Sequence, residues 1–149
     1  MKSIVFVCLG NICRSPIAEG CAKKLAHEYN LDIKIVSAGT SSWHVGENPC
    51  PNSIKVCKTN SVDISKYKAS QFIKADINVY DLVVALDDSN YSDLEELGVT
   101  NLVKLGKYGY NSENVPDPYF FDGFEGFEKV YEMIGTCVTN LFNEEKILN

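Results

Sequence analysis

Residues 3–19 read S-I-V-F-V-C-L-G-N-I-C-R-S-P-I-A-E. Ile4-Val5-Phe6-Val7 is a short uncharged run rich in β-branched residues, the pattern of a strand buried on both faces. From Pro16 the period changes. Proline suits the first turn of a helix, and Ile17, Cys21 and Leu25 recur at helical spacing. Between the two lies C-L-G-N-I-C-R-S. A strand, a tight loop and a helix start make a cradle for anions: unpaired backbone N–H groups converge there, and the helix dipole favours negative charge.

Two side chains give this cradle chemistry. Cys8 falls where the strand ends, so its sulfur can lie beneath a bound anion. A thiol beside a helix N-terminus and a guanidinium is available as thiolate near neutral pH. Arg14 closes the loop with a planar fork that matches two oxygens of a tetrahedral oxyanion. Gly10 is expected to supply a backbone conformation that a Cβ would resist. Asn11 tolerates a left-handed conformation and can brace the loop with its amide. An isolated cysteine at a strand end is ordinarily a packing residue. Here the cysteine, five intervening residues, an arginine and a serine all fall on one strand–loop–helix pattern, the context that confirms such a motif.

Working outward, 149 residues are enough for one domain with a real core, expected to span 1–149. The 45% hydrophobic content is that of a globular chain. No apolar run reaches membrane-spanning length and no signal-peptide layout is present, so a cytoplasmic protein is expected, without a membrane partner. Six cysteines in such a setting should mostly be reduced. With no C-x-x-C pair and two histidines, neither a zinc site nor another metal is expected. A net charge of −6 disfavours nucleic acid as a partner. It also leaves attraction of an anionic ligand to the loop itself.

Ile33 to Val36 reads as a second strand. It leads into a small-residue turn and then Trp43-His44, the sole tryptophan followed by a loop. Trp43 is either a packing residue or an aromatic wall for a flat substrate ring; His44 receives no role. Pro51–Thr59 is helix-compatible. Asp81 to Leu86 is a third strand, and Asp87 and Asp88 after it read as caps for a helix that Gly98 stops. Asn101 to Leu105 is a short fourth strand at an edge. After a loop come Pro116-Asp117-Pro118, where two prolines fix the backbone around an acid. Asp122 with Glu125 suggests a capping box. Phe124, Phe127, Val130, Ile134, Val138 and Leu141 then mark a long amphipathic helix. Strands separated by helices make an α/β layout, and ligands of such sheets bind at the C-terminal strand ends.

Val7–Pro16, V-C-L-G-N-I-C-R-S-P, with Asp117-Pro118-Tyr119 near the C-terminus, resembles the low-molecular-weight protein tyrosine phosphatases, and the likeness covers essentially the whole chain. The resemblance implies a single domain, a four-stranded parallel sheet with helices on both faces in a Rossmann-like layout. It implies hydrolysis of phosphotyrosine in proteins, and of small aryl phosphates, without a cofactor. Cys8 would be the nucleophile and Arg14, with the amides of Leu9, Gly10, Asn11, Ile12 and Cys13, the oxyanion holder. Asp117 would be general acid and base, and Ser15 a donor to the sulfur. Trp43 and Tyr119 would wall the cleft. Inorganic phosphate and other oxyanions would be ligands or inhibitors. Cys13 carries two readings, a small packing residue or the partner of Cys8 in a reversible protective disulfide.

Three rivals share the loop. Arsenate reductases of this architecture need two further cysteines after the third strand, and this chain has none between Cys57 and Cys137. Protein-arginine phosphatases tend to have threonine where this chain has Ile12. A non-catalytic oxyanion carrier would have no use for Asp117.

Overall fold

The computed structural model describes residues 1–147. Four strands, β1 (Ser3–Cys8), β2 (Lys34–Gly39), β3 (Leu82–Ala85) and β4 (Leu102–Lys104), form one parallel sheet in the order β2-β1-β3-β4. The helices are α1 (Arg14–Glu28), α2 (Pro51–Thr59), α3 (Asp88–Leu97) and α4 (Glu125–Glu144). The four-stranded parallel α/β architecture expected from the sequence is the one present.

β1 is central and covered on both sides. Ile4, Val5, Phe6 and Val7 are all fully buried. Ile4, Phe6 and Cys8 face a core shared with Ile17 and Ala22 of α1, Val56 of α2, and Phe127, Val130 and Ile134 of α4. Val5 and Val7 face a smaller core with Leu94 of α3 and Phe72. That alternation is the period of two of a strand, read here as two cores instead of one core and solvent. Each such side chain contributes roughly 1.5–3 kcal/mol by leaving water.

α1 starts at Arg14, two residues earlier than Pro16 suggests. The missing N–H of Pro16 falls among the first-turn donors that have no intrahelical partner in any case. β2 runs on to Gly39, beyond the expected Val36, because pairing with β1 continues to the Cys8–Gly39 register. Ser37 and Ala38 have little strand propensity; the neighbouring strand decides. α3 is capped as read, with the Asp87 carboxylate accepting from the Asn90 N–H at 2.8 Å and Gly98 left-handed at φ 114°. The capping box at Asp122 and Glu125 is not formed. Gly123 turns the chain at φ 66°, and α4 begins after Phe124 without a side-chain cap.

The register brings the site together. Thr40 N–H donates to Cys8 O at 2.9 Å and Ser41 N–H to Leu9 O at 3.0 Å, so the turn after β2 lies along the loop after β1. Gly39 is required there: a Cβ would come within 2.7 Å of Leu9 O. Leu86 N–H donates to Val7 O and Val115 N–H to Leu86 O, which carries the segment before Asp117 onto the same rim. Among the described residues no helix is long and apolar enough to cross a membrane.

Candidate active site

The loop between β1 and α1 folds over the sulfur of Cys8. Asn11 is left-handed at φ 58°, as its residue type allows, and its backbone N–H points at Cys8 Sγ from 3.3 Å. Gly10 has a different task from the one expected. Its φ is not positive; what it supplies is space, since a Cβ there would lie 2.9 Å from His44 Cδ2.

Ser15 Oγ lies 3.0 Å from Cys8 Sγ. Its proton is directed by a chain of polar groups that runs from the buried Asn11 out to Lys23. The Asn11 amide nitrogen, which can only donate, gives its hydrogens to Ser15 Oγ at 2.8 Å and Ser37 Oγ at 2.9 Å, while Asn11 Oδ1 accepts from Ser70 N–H. Ser37 passes its own proton to Glu19 Oε1 at 2.6 Å, and Lys23 neutralises the other Glu19 oxygen at 2.6 Å. With one lone pair of Ser15 used by Asn11, its hydroxyl hydrogen is free for the sulfur, which also faces the Asn11 N–H.

Arg14 is buried, and its charge is met by Asp87. Nη1 donates to Asp87 Oδ2 at 2.7 Å and to Val115 O at 3.0 Å. That fixes the guanidinium plane at the wall of the cavity it lines. Asp87 is thus a cap and an arginine anchor at once; the sequence gives the cap and a place on the rim beside Cys8, and the bond to Arg14 comes from the fold.

One cavity of about 270 Å³ is lined by Cys8, Leu9, Gly10, Ile12, Cys13 and Arg14 on its floor and by Trp43, His44, Asp117 and Tyr119 above. Trp43 is 73% exposed, which decides against a packing role, and it lines the cavity. Tyr119 leans edge-on against Phe127 of α4, ring centroids 5.3 Å apart. Asp117 Oδ1 accepts from Tyr119 N–H at 2.9 Å, so the acid caps a short turn through Phe120. Every residue the sequence nominated lines this cavity or, like Ser15 and Asn11, supports it from behind. His44 was missed. Its Nδ1 sits 2.9 Å from Glu47 Oε2, and the only sequence signal was its place beside Trp43 with an acid three residues on.

The cysteines depart from expectation at one point. Cys13 is bonded to Cys50, with Cα atoms 5.4 Å apart, and Cys8 is free. A Cys8–Cys13 bond is therefore not the pairing present. Cys50 is drawn to the loop by its own N–H, which donates to Ile12 O at 2.7 Å, and by Ser53 Oγ, which donates to Cys13 O at 3.1 Å. Cys21, Cys57 and Cys137 are free thiols in or beside the core. Burial pushes Cys21 and Cys137 up to about 11 and Cys57 higher still, so they stay neutral.

A parallel α/β sheet whose first strand ends in a thiol, under a loop of amides and an anchored guanidinium, defines an oxyanion-handling enzyme of the cysteine type. A family model described as low molecular weight phosphotyrosine protein phosphatase matches residues 3–148. The chain belongs to that family. It is 35% identical over 148 residues to the low molecular weight protein-tyrosine-phosphatase PtpA of Staphylococcus aureus, covering 96% of this chain and 93% of that protein. A protein tyrosine phosphatase from Entamoeba histolytica, solved with Hepes in its active site, superposes with a TM-score of 0.91 at 29% identity over 99% of this chain and 98% of that one. DARP, a Drosophila arginine phosphatase, superposes with a TM-score of 0.90 at 31% identity over 98% of each chain.

Proposed function

We propose that this enzyme hydrolyses phosphotyrosine monoesters of cytoplasmic proteins in two steps through a phosphocysteine. Cys8 thiolate attacks phosphorus in line, and the bond to the tyrosyl oxygen breaks as Asp117 delivers a proton to it. The amides of Leu9 to Arg14 and the free edge of the Arg14 guanidinium hold the three equatorial oxygens. Water then attacks phosphorus, Asp117 takes its proton, and Cys8 leaves as thiolate with the Ser15 hydroxyl donating to the sulfur. The oxygens' charge is met by the loop and Arg14, so the scheme calls for no cofactor.

The observation that carries this reading is that Asp117 and Cys8 line one cavity although 109 positions separate them in the chain. Trp43 and Tyr119 above it suit a flat ring. The depth of the loop favours the longer reach of phosphotyrosine over phosphoserine. Inorganic phosphate would compete for the same amides.

Arginine phosphate is the second reading, favoured by the likeness to DARP. Ile12, which lines the cavity, weighs against it, because a bulky side chain there narrows the floor. The test is a side-by-side assay of phosphotyrosine, phosphoserine and phosphoarginine peptides and of arsenate, with Cys8→Ser as control. Preference for phosphotyrosine, lost in Cys8→Ser while phosphate still binds, is expected. Faster turnover of phosphoarginine, or appreciable turnover by Cys8→Ser, overturns the proposal.

A further inference from the structure

The scheme above leaves Cys50 without a task, yet Cys50 is bonded to a residue of the catalytic loop. We propose that Cys13 and Cys50 form a redox site fed by Cys8: a hydroperoxide that oxidises the nucleophile ends as the Cys13–Cys50 disulfide, and Cys8 is returned as thiolate. The proposal rests on the reading of Cys8 as the reactive thiolate.

Placement supports it in three ways. Cys13 lines the same cavity as Cys8, which sets the pair beside the nucleophile's loop. Cys13 is the N-cap of α1 and Cys50 the N-cap of α2, so both sulfurs stand at the positive ends of helices, where a thiolate is favoured. The contact between the two helix starts does not depend on the bond. Cys50 N–H to Ile12 O and Ser53 Oγ to Cys13 O hold them together when the sulfurs are reduced. The remaining thiols, Cys21, Cys57 and Cys137, are kept neutral by burial and make poor competitors. In a reducing compartment a surviving disulfide belongs with transient, redox-active ones.

The steps balance. Cys8 thiolate attacks the hydroperoxide; the O–O bond breaks, an S–O bond forms, and an alcohol or water departs, leaving a sulfenic acid. Cys13 thiolate attacks the Cys8 sulfur and displaces hydroxide, which leaves as water with a proton from the medium. Cys50 thiolate attacks the Cys13 sulfur and displaces Cys8 thiolate. In sum one hydroperoxide is reduced by two electrons, the Cys13 and Cys50 thiols are oxidised to a disulfide, and Cys8 is unchanged. A dithiol reductant resets the pair. With the pair already oxidised, the next hydroperoxide meets a Cys8 that has no thiol neighbour, and oxidation runs on to the sulfinic acid.

The test titrates fully reduced protein, freed of reductant, with hydrogen peroxide. Activity on an aryl phosphate and disulfides, mapped by mass spectrometry of non-reduced peptides, are read after each aliquot. The parent should hold its activity up to one equivalent while Cys13–Cys50 accumulates, then lose it beyond recovery by dithiothreitol. Cys50→Ser, with Cys50→Ala beside it to guard against a folding defect in either, should lose activity from the first aliquot. It should accumulate Cys8–Cys13 and recover with dithiothreitol. Cys8→Ser should form Cys13–Cys50 far more slowly than the parent. A parent that loses activity as steeply as Cys50→Ser, or a Cys8→Ser variant that forms Cys13–Cys50 as fast as the parent, overturns the proposal. If the reduced parent lacks phosphatase activity before any peroxide, the functional reading fails, and the comparison of disulfide formation between parent and Cys8→Ser still decides the redox site.

Discussion

Arg14 and Asp87 form an ion pair in which Nη1 and Oδ2 are 2.7 Å apart, and the other Asp87 oxygen caps α3 through the Asn90 N–H. One carboxylate therefore orients the guanidinium and starts a helix on the opposite face of the sheet. The two tasks separate by substitution. Asp87→Asn keeps an oxygen for the cap and loses the charge that anchors Arg14. We expect kcat/KM to fall by about tenfold to a hundredfold, the worth of a charged hydrogen bond, with the melting temperature nearly unchanged. Asp87→Ala should add a stability loss of about 1 kcal/mol from the missing cap, seen in chemical denaturation.

Asp117→Ala should slow phosphotyrosine turnover by roughly 10²–10⁴-fold, the usual worth of a positioned acid. Aryl phosphates with strongly acidic phenols should be affected far less, because their leaving oxygen needs no proton. A Brønsted plot of kcat against leaving-group acidity checks this. Equal losses across the series would remove Asp117 from the role of acid.

Asn11→Ala should be among the most damaging changes outside the reacting groups. It removes the partner of the buried Ser15 hydroxyl and of the partly buried Ser37 hydroxyl and Ser70 N–H, costing about 1–3 kcal/mol, most of it at Ser15. It also puts a Cβ-bearing residue without a stabilising side chain at φ 58°, worth roughly a further 1–2 kcal/mol. Ser37→Ala removes a single link and should be milder. Thermal melts give the stability ranking. The kcat of each variant reports whether the Ser15 proton has lost its direction.

Much of this site was legible locally. β1, the loop and the start of α1 are contiguous, so strand period, glycine, arginine and proline all speak within 17 residues. Asp117 was reached by family resemblance, since nothing in its own neighbourhood says where Pro116 and Pro118 deliver it. The bracing groups were not legible for a physical reason. Ser70 meets Asn11 across 59 positions and Cys50 meets Cys13 across 37, so each contact exists only once the sheet has paired. Asp122 failed in the other direction: the local pattern was right, and Gly123 turned the chain before the helix began. Ser37 to Gly39 looked like a turn in isolation and is strand because β1 lies beside it.

The buried thiols carry a pH signature. Cys21 and Cys137 ionise near 9 when free and at about 11 in the fold, because burial disfavours the thiolate. Their folded values are the higher, so their contribution to stability is complete below pH 9 and is lost as pH rises toward 11. Denaturation midpoints measured across that range should fall. Alkylation of the reduced protein at neutral pH should leave Cys57 and Cys137, which are fully buried, unmodified until the chain unfolds. Modification of either in the native state would show that the core opens.

Tyr119 takes its bearing from Phe127, a residue of the hydrophobic core. The aperture of the cleft is thereby calibrated from inside the protein, by a buried ring that does not line it. Adjusting the volume at position 127 would move the Tyr119 ring while the sulfur, the guanidinium and the acid stay as they are, so the shape of the cleft can drift independently of its polar groups.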